Sequence, residues 1–240
     1  PWVRQTIARV ALHWSNDVEP PWPAMLLARV QRVVTLGSYH RARLPWLPEE
    51  QNVTIPLGID LGTFTRGPER REPLLLYSSS PDRGLATLVE DLPLIRRHLP
   101  SHRVVATYRW PQSLAGLAAR AQAAGVLLLT PDRAGMAQLY RAADFWVHPL
   151  NRPDSDLAGF SALQALVGGC RLVVPTVQVS GFRDAVPRYV PYRAFLAGDY
   201  TLVDNPRANR ELLLSWSHLV KTRWLPLLRQ LRGDAGEEAA

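Results

Sequence analysis

One stretch of this chain decides its fold more than any other: Asp154-Ser155-Asp156-Leu157-Ala158-Gly159-Phe160-Ser161-Ala162-Leu163-Gln164-Ala165. An apolar run, residues 144–149, precedes it, and a second apolar run, residues 170–175, follows it. Runs of this kind are typical of buried strands, so the stretch is predicted to form a loop and a helix between two strands. The polar groups of such a loop lie at the carboxyl edge of a parallel sheet, where open α/β folds bind ligands.

Short β-rich runs alternate with helical patterns from residue 72 onward. The predicted strands are Leu74 to Ser78, Arg103 to Tyr108, Val126 to Leu129, Phe145 to His148 and Leu172 to Val174. The predicted helices are Leu85 to His98, Leu114 to Ala124, Met136 to Ala142 and Phe160 to Val167. This alternation predicts the α/β class, with a doubly wound, Rossmann-like parallel sheet covered on both faces.

The chain is predicted to have four parts. Residues 1–66 offer only three short strands, Val10 to Trp14, Val33 to Leu36 and Val53 to Ile55, and are expected to form an incomplete second α/β unit. Residues 67–73 are charged and contain proline, which is typical of a linker. Residues 74–205 form the doubly wound domain, and residues 206–232 contain an amphipathic helix that Pro226 should kink. Because the chain starts at Pro1, the first unit is expected to be truncated or completed by another chain.

Composition narrows the class of protein. Hydrophobic residues make up 47% of the 240, enough for a sizeable core. The single cysteine, Cys170, excludes an internal disulfide, and no run approaches the ~20 apolar residues of a membrane span. A cytoplasmic protein is therefore expected, with peripheral attachment to a membrane as the alternative. A net charge of +7 fits an anionic partner, which leaves nucleotide diphosphates, phospholipid surfaces and nucleic acid open. The oligomeric state is not predicted.

A second motif, residues 77–85, runs from a strand through a polar turn into a helix. Its hydroxyls and backbone N–H groups converge in front of a helix N-terminus, which favours a phosphate. Arg83 adds a forked donor that matches phosphate oxygens. The alternative is that Ser80 or Asp82 only caps the helix.

Five segments together resemble the family 4 branch of the retaining GT-B glycosyltransferases, which have two Rossmann-like domains. The resemblance extends over residues 10 to 205. In chain order the segments are Ser38-Tyr39-His40, Pro56-Leu57-Gly58-Ile59-Asp60, Ser80-Pro81-Asp82-Arg83-Gly84-Leu85, Leu139-Tyr140-Arg141-Ala142-Ala143-Asp144 and the opening stretch. In the last of these, Asp156 and Gln164 stand where the family's Glu-x7-Glu signature has two glutamates.

The resemblance implies a domain, residues 74–205, that binds a nucleotide-diphosphate sugar as substrate, and a last helix that crosses back to the first unit. Asp156 and Arg83 are the implied catalytic residues. The implied donor-binding residues are Ser79, Ser80, Arg83, Gly84, Gly159, Phe160, Ser161 and Gln164. On the acceptor side Asp17 and His40 are candidates, the acceptor is unidentified, and neither a metal nor another cofactor is expected.

Two functions remain open at this stage. The first is a metal-independent retaining glycosyltransferase. The second is a non-catalytic relative that binds a nucleotide-sugar or another anion and uses its basic surface on nucleic acid or a membrane. Asp154-Ser155-Asp156 also spells Asp-x-Asp, a metal motif, but a solvated acidic loop is favoured.

These assignments predict unequal roles for two neighbouring carboxylates. Asp156→Asn should reduce turnover far more than Asp154→Asn, because only Asp156 occupies the first signature position, and donor turnover should survive EDTA. The measurement is nucleotide release from a nucleotide-sugar by each variant with and without chelator. Equal losses, or a full loss on chelation restored by Mn²⁺, would contradict the assignment, since a metal would then neutralise the leaving diphosphate.

Overall fold

A computed structural model of the chain describes residues 10–12, 30–65, 71–149, 159–175, 186–206 and 215–237. The chain divides into two compact units. The first contains residues 1–59 and 211–240, and the second contains residues 60–210. No helix in the described ranges combines the length and the apolar character needed to cross a membrane.

The strands are β1 (Val10–Leu12), β2 (Arg32–Thr35), β3 (Asn52–Thr54), β4 (Glu72–Tyr77), β5 (Arg103–Thr107), β6 (Val126–Leu129), β7 (Ala143–Val147), β8 (Arg171–Val174), β9 (Arg188–Pro191) and β10 (Val203–Asp204). The α-helices are α1 (Ser38–Ala42), α2 (Leu61–Phe64), α3 (Leu85–His98), α4 (Ala115–Ala123), α5 (Arg133–Ala142), α6 (Phe160–Val167), α7 (Tyr192–Leu196), α8 (Trp216–Leu219) and α9 (Leu225–Glu237). Short 3₁₀ turns occupy Glu49–Gln51, Pro81–Arg83 and Gln112–Leu114, and a π turn occupies Val220–Trp224.

The second unit is built on a seven-stranded sheet in the order β10-β9-β8-β7-β4-β5-β6. Neighbouring strands are parallel except β10, which pairs antiparallel with β9. The chain runs outward from β4 to β6 on one side, then returns to β7 beside β4 and runs outward on the other side. The direction therefore reverses between β4 and β7, the place where doubly wound sheets form a ligand crevice.

The core of the second unit lies where α3 packs on the sheet. Leu85, Leu88, Leu92 and Ile95 of α3 are buried in one apolar cluster with sheet residues that include Phe145. Their spacing of three and four residues places all four on one face of the helix. Gly84 begins this helix with a φ of 130°, a conformation that side chains disfavour, so the chain turns sharply at the end of the loop that follows β4.

The first unit contains a parallel sheet in the order β1-β2-β3. Leu227 and Leu231 of α9 pack on it against Val34 and Ile55. Pro226 is the second residue of α9, which follows the π turn directly. Because proline lacks an N–H and its ring crowds the carbonyl four residues earlier, the wider turn gives the ring room, and the kink expected at Pro226 stays a prediction.

The predicted fold class is confirmed, and the bounds need correction in several places. The strand predicted for Val10 to Trp14 is described only over Val10–Leu12, and α5 begins at Arg133 because the Asp132 side chain accepts a hydrogen bond of 2.8 Å from the Gly135 N–H. The sequence analysis missed β9, β10, α1, α2 and α7. The division into compact units falls between residues 59 and 60. Residues 67–70 of the expected linker lie outside the described ranges, and the expected domain bounds stay a prediction.

The packing of α3 predicts a large difference between two of its leucines. Leu92 is 1% exposed and Leu94 is 38% exposed. Leu92→Ala should lower the free energy of unfolding by roughly 3 kcal/mol, because it removes buried methyl groups and leaves a cavity. Leu94→Ala, the matched control on the same helix, should change it by less than about 1 kcal/mol. Urea unfolding followed by circular dichroism measures both, and similar losses would contradict the described packing.

Candidate functional site

A cleft of about 270 Å³ opens at the carboxyl edge of the larger sheet. Its lining is Ser78, Thr107, Tyr108, Arg109, Thr130, Pro131, Met136, Tyr140, Ser161 and Gln164. Six of these residues directly follow or end β4, β5 and β6, and the other four belong to α5 and α6. The floor of the cleft is therefore formed by consecutive strand ends, and its wall by two helices.

The loops after β5 and β6 are bound to each other. The Tyr108 N–H donates to the Leu129 carbonyl at 3.1 Å, and the Thr130 hydroxyl donates to the Tyr108 carbonyl at 2.8 Å. The indole N–H of Trp110 also donates to the Leu129 carbonyl, at 3.3 Å. These bonds fix the backbone of Tyr108, which is 37% exposed and lines the cleft.

A chain of hydrogen-bonded side chains runs from the buried Trp146 into the lining of the cleft. The Trp146 indole N–H donates to Ser78 Oγ at 2.8 Å, and Ser78 Oγ lies 2.7 Å from the Tyr140 hydroxyl. The Tyr140 hydroxyl donates to Gln164 Oε1 at 3.3 Å. Trp146 and Tyr140 are almost fully buried, and burial raises the pKa of Tyr140 well above its ordinary value, so the phenol keeps its proton.

The turn after β4 forms one side of the crevice. The Tyr77 hydroxyl donates to the Ser80 carbonyl at 2.7 Å, and the Ser80 hydroxyl donates to the Asp82 carboxylate. The helix that follows begins at Gly84 without a side-chain cap. The alternative in which Ser80 or Asp82 caps this helix is therefore wrong, because the two side chains bond to each other within the turn.

The turn after β4 touches the end of β7 at Gly84. A methyl group at Gly84 would lie 2.3 Å from the Pro149 carbonyl oxygen, so no larger residue fits without a shift of the backbone. His148, next to Pro149, is 1% exposed and lies between the rings of Tyr77 and Trp146, with ring centroids 5.8 Å and 5.3 Å away. Burial, together with the nearby charge of Arg83, lowers the pKa of His148 to about 3.

The helix α6 brings the opening stretch to the cleft. Gly159 precedes the helix in the left-handed conformation, with a φ of 61°, which glycine adopts without strain. Ser161 and Gln164, one turn apart, line the cleft, while Phe160 is exposed outside its lining. The glycine thus allows the chain to enter α6 at an angle that turns two polar residues of the helix toward the strand ends.

The predicted site residues fall into three groups. Ser161 and Gln164 line the cleft; Ser79, Ser80, Arg83, Gly84, Gly159 and Phe160 lie in the segments beside it. Asp156 and Asp17 lie outside the described residues. His40 belongs to the other unit, where it is buried and its Nδ1 accepts a 3.1 Å hydrogen bond from the Leu36 N–H.

Several lining residues were missed by sequence reasoning. Ser78, Thr107 and Thr130 are strand-end residues, and their signal was the position at the end of each apolar run. Tyr140 was quoted only as part of a motif. No group of three potential metal ligands among His, Cys, Asp and Glu occurs in the part of the chain that the structure describes.

The chain is similar in structure to solved glycosyltransferases. It matches AviGT4, a glycosyltransferase involved in avilamycin A biosynthesis, with a TM-score of 0.59 and 16% identity, over 96% of this chain and 76% of that one. It matches Anabaena Alr3699/HepE in complex with UDP and glucose with a TM-score of 0.54 and 15% identity, over 72% and 53%. WaaG, a glycosyltransferase involved in lipopolysaccharide biosynthesis, gives a TM-score of 0.50 and 17% identity, over 63% and 45%.

These likenesses show the fold, which is that of the GT-B glycosyltransferases, as the motifs predicted. The chain spans about half the length of HepE and of WaaG. No protein-family model matches the chain, and no curated protein matches its sequence.

The burial of His148 predicts a specific pH dependence of stability. Its pKa is lowered from 6.5 to about 3 in the folded state, so the unfolded state binds more protons between these values. The free energy of unfolding should therefore fall as the pH drops from 6.5 toward 3, by up to about 1.4 kcal/mol per pH unit from this group. His148→Gln should flatten the profile in that window, as measured by urea unfolding at several pH values. Identical slopes for the two proteins would contradict the buried, neutral imidazole.

Proposed function

We propose that this chain is a family 4-like retaining glycosyltransferase, which moves a sugar from a nucleotide-diphosphate sugar to an acceptor without a metal ion. The observation that carries the proposal is the cleft at the carboxyl edge of β4, β5 and β6, which Ser161 and Gln164 of α6 line. It lies in the half of the sheet next to the reversal of strand order, where doubly wound folds bind nucleotides.

The proposed chemistry is mainly electrostatic. The bond between the anomeric carbon and the diphosphate breaks, the acceptor oxygen bonds to that carbon on the same face, and the acceptor proton passes to the leaving phosphate oxygen. Arg83 and the backbone N–H groups at the start of α6 would stabilise the negative charge of the leaving diphosphate. Asp156 would lie by the donor sugar. This division of roles needs neither a protein nucleophile nor a metal.

The neighbourhood of Arg83 supports its role. Burial and the arginine charge both keep His148 neutral, so this histidine does not compete with Arg83 for the phosphate oxygens. Gly84 lets the turn that carries Arg83 lie against Pro149 at the end of β7. The turn after β4 is thus close to the point where the strand order reverses, and this is where a diphosphate would have to lie to reach both halves of the sheet.

The solved neighbours support the choice of substrate class. HepE was solved with UDP and glucose, the two parts of a nucleotide-sugar, and AviGT4 and WaaG are glycosyltransferases. The presence of Gln164 in place of an acid supports a second candidate, a non-catalytic module that binds a nucleotide-sugar. Gln164 keeps hydrogen-bonding capacity and loses the charge assistance, worth about 1 kcal/mol of donor affinity.

One set of measurements separates the two candidates. The protein is screened by thermal shift and calorimetry against UDP, GDP, ADP and their glucose and N-acetylglucosamine derivatives, since a ligand of the folded state raises its apparent stability. Nucleotide release from a bound nucleotide-sugar, with retention of the anomeric configuration in the product, supports the transferase. Binding without release, unchanged when Asp156→Glu and Gln164→Glu are combined, supports the non-catalytic module. Failure of all these compounds to bind would overturn both.

The proposed role of Arg83 predicts a loss of diphosphate affinity on its removal. Arg83→Ala should weaken binding of the tightest nucleoside diphosphate by about 1.5 kcal/mol or more, the scale of a charged hydrogen bond. Arg97→Ala is the matched control, because it removes the same charge from the exposed far end of α3. Calorimetry at fixed ionic strength measures both. Equal affinities for the Arg83→Ala protein and the unaltered protein would show that Arg83 does not bind the diphosphate.

A further inference from the structure

We propose that Gln164 presents its amide N–H groups to the bound nucleotide, and that Tyr140 is the positioning residue that fixes this orientation. The inference rests on the proposed function, since it concerns the same cleft. It adds that the site offers hydrogen-bond donors to the nucleotide at Gln164. Where an acidic residue would only accept hydrogen bonds, this chain would offer donors. The nucleotide group that meets Gln164 must then act as an acceptor.

The direction of the hydrogen-bond chain follows from what each group can do. An indole N–H only donates, so Ser78 Oγ accepts from Trp146. An amide oxygen only accepts, so the single proton of Tyr140 is given to Gln164 Oε1. The Tyr140 oxygen is left as an acceptor, and Ser78 donates to it across 2.7 Å. All three bonds therefore run from Trp146 toward Gln164.

Reversal of the direction of these hydrogen bonds would cost free energy. If Gln164 turned its amide nitrogen toward Tyr140, the phenol would have to give its proton to Ser78. Ser78 would then accept from both Trp146 and Tyr140, and its own buried O–H would lose the acceptor that the present arrangement supplies. A buried donor without an acceptor is expensive, and burial prevents the phenol from ionising to relieve it.

The buried members of the hydrogen-bond chain belong to well-packed elements of the unit. Trp146 belongs to β7, Ser78 follows β4 and Tyr140 belongs to α5, and Trp146 and Tyr140 are almost fully buried. Gln164, on α6, is the member that is only partly buried, and it lines the cleft. With its oxygen held from below by Tyr140, its two N–H groups are the part of the amide that remains for a ligand.

The test uses nucleotides altered at one ribose hydroxyl. A hydroxyl both donates and accepts, a methyl ether only accepts, and a protonated amine only donates. The probes are the 2′- and 3′-O-methyl and the 2′- and 3′-amino-deoxy derivatives of UDP, or of GDP or ADP if one of these binds more tightly. Calorimetry at a pH that keeps the amine protonated gives, for each position, the ratio of ether affinity to ammonium affinity.

The unaltered protein should bind the ether derivative at least about tenfold more tightly than the ammonium derivative at one of the two positions. A tenfold difference in affinity corresponds to the cost of one mismatched hydrogen bond. Gln164→Glu should reverse the preference, since a carboxylate accepts only. Tyr140→Phe frees the amide to rotate, so the preference should collapse toward unity. A residue that only supported the fold would weaken all probes equally and leave the ratio unchanged.

Tyr192→Phe is the matched control. Tyr192 is another buried tyrosine of the same unit, its hydroxyl donates to Asp91 at 2.8 Å, and it does not line the cleft, so its loss should leave the ratio as it is in the unaltered protein. An ammonium preference in the unaltered protein overturns the inference without any variant and leaves the proposed function intact. Absence of binding by UDP, GDP and ADP overturns the proposed function, and the inference with it.

Discussion

The placement of β4 beside β7 is the constraint on which the rest of the second unit depends. The chain leaves β4 toward one edge of the sheet and leaves β7 toward the other, so the loops that follow these two strands move apart and open a crevice. The two loops are still in close contact at one point, because Gly84 lies against the Pro149 carbonyl and leaves no room for a side chain. The order of the strands, more than any one residue, thus brings α6 and the turn after β4 to the same edge of the sheet.

The two sides of that edge differ in their polar groups. The turn after β4 carries Arg83 beside a histidine that burial keeps neutral. The cleft under α6 is mostly neutral. Its hydroxyl, indole and amide groups are hydrogen-bonded to one another, and Arg109 is the cation in its lining. A ligand with a charged end and a hydroxyl-rich end would suit this arrangement, and a nucleotide-sugar has both.

Sequence reasoning found the parts of the fold that periodicity and apolar runs encode. The bounds of α3, α6 and β6 were predicted to the residue, because each is a clear amphipathic or apolar segment closed by glycine or polar residues. It missed β9 and α7, where Pro191 ends a four-residue strand and starts a five-residue helix, too short for a periodic signal. In the cleft it found Ser161 and Gln164 through a spaced motif. It missed Thr107 and Thr130, because a position at the end of an apolar run does not show which strand ends lie side by side.

The π turn at Val220–Trp224 has a consequence for how the first unit tolerates changes in chain length. Each residue of a wider turn advances less around the axis than in an α-helix, so the turn brings Leu227 and Leu231 back to the side on which Leu219 is buried. Deletion of one residue within it would restore regular α-helical winding and leave Leu227 seven residues after Leu219, about two full turns, so both leucines would still face Val34 and Ile55. The segment should therefore tolerate the loss of one residue, which would rotate the later residues by about 100° in a regular helix, and the insertion of a single residue into such a helix would account for its shape.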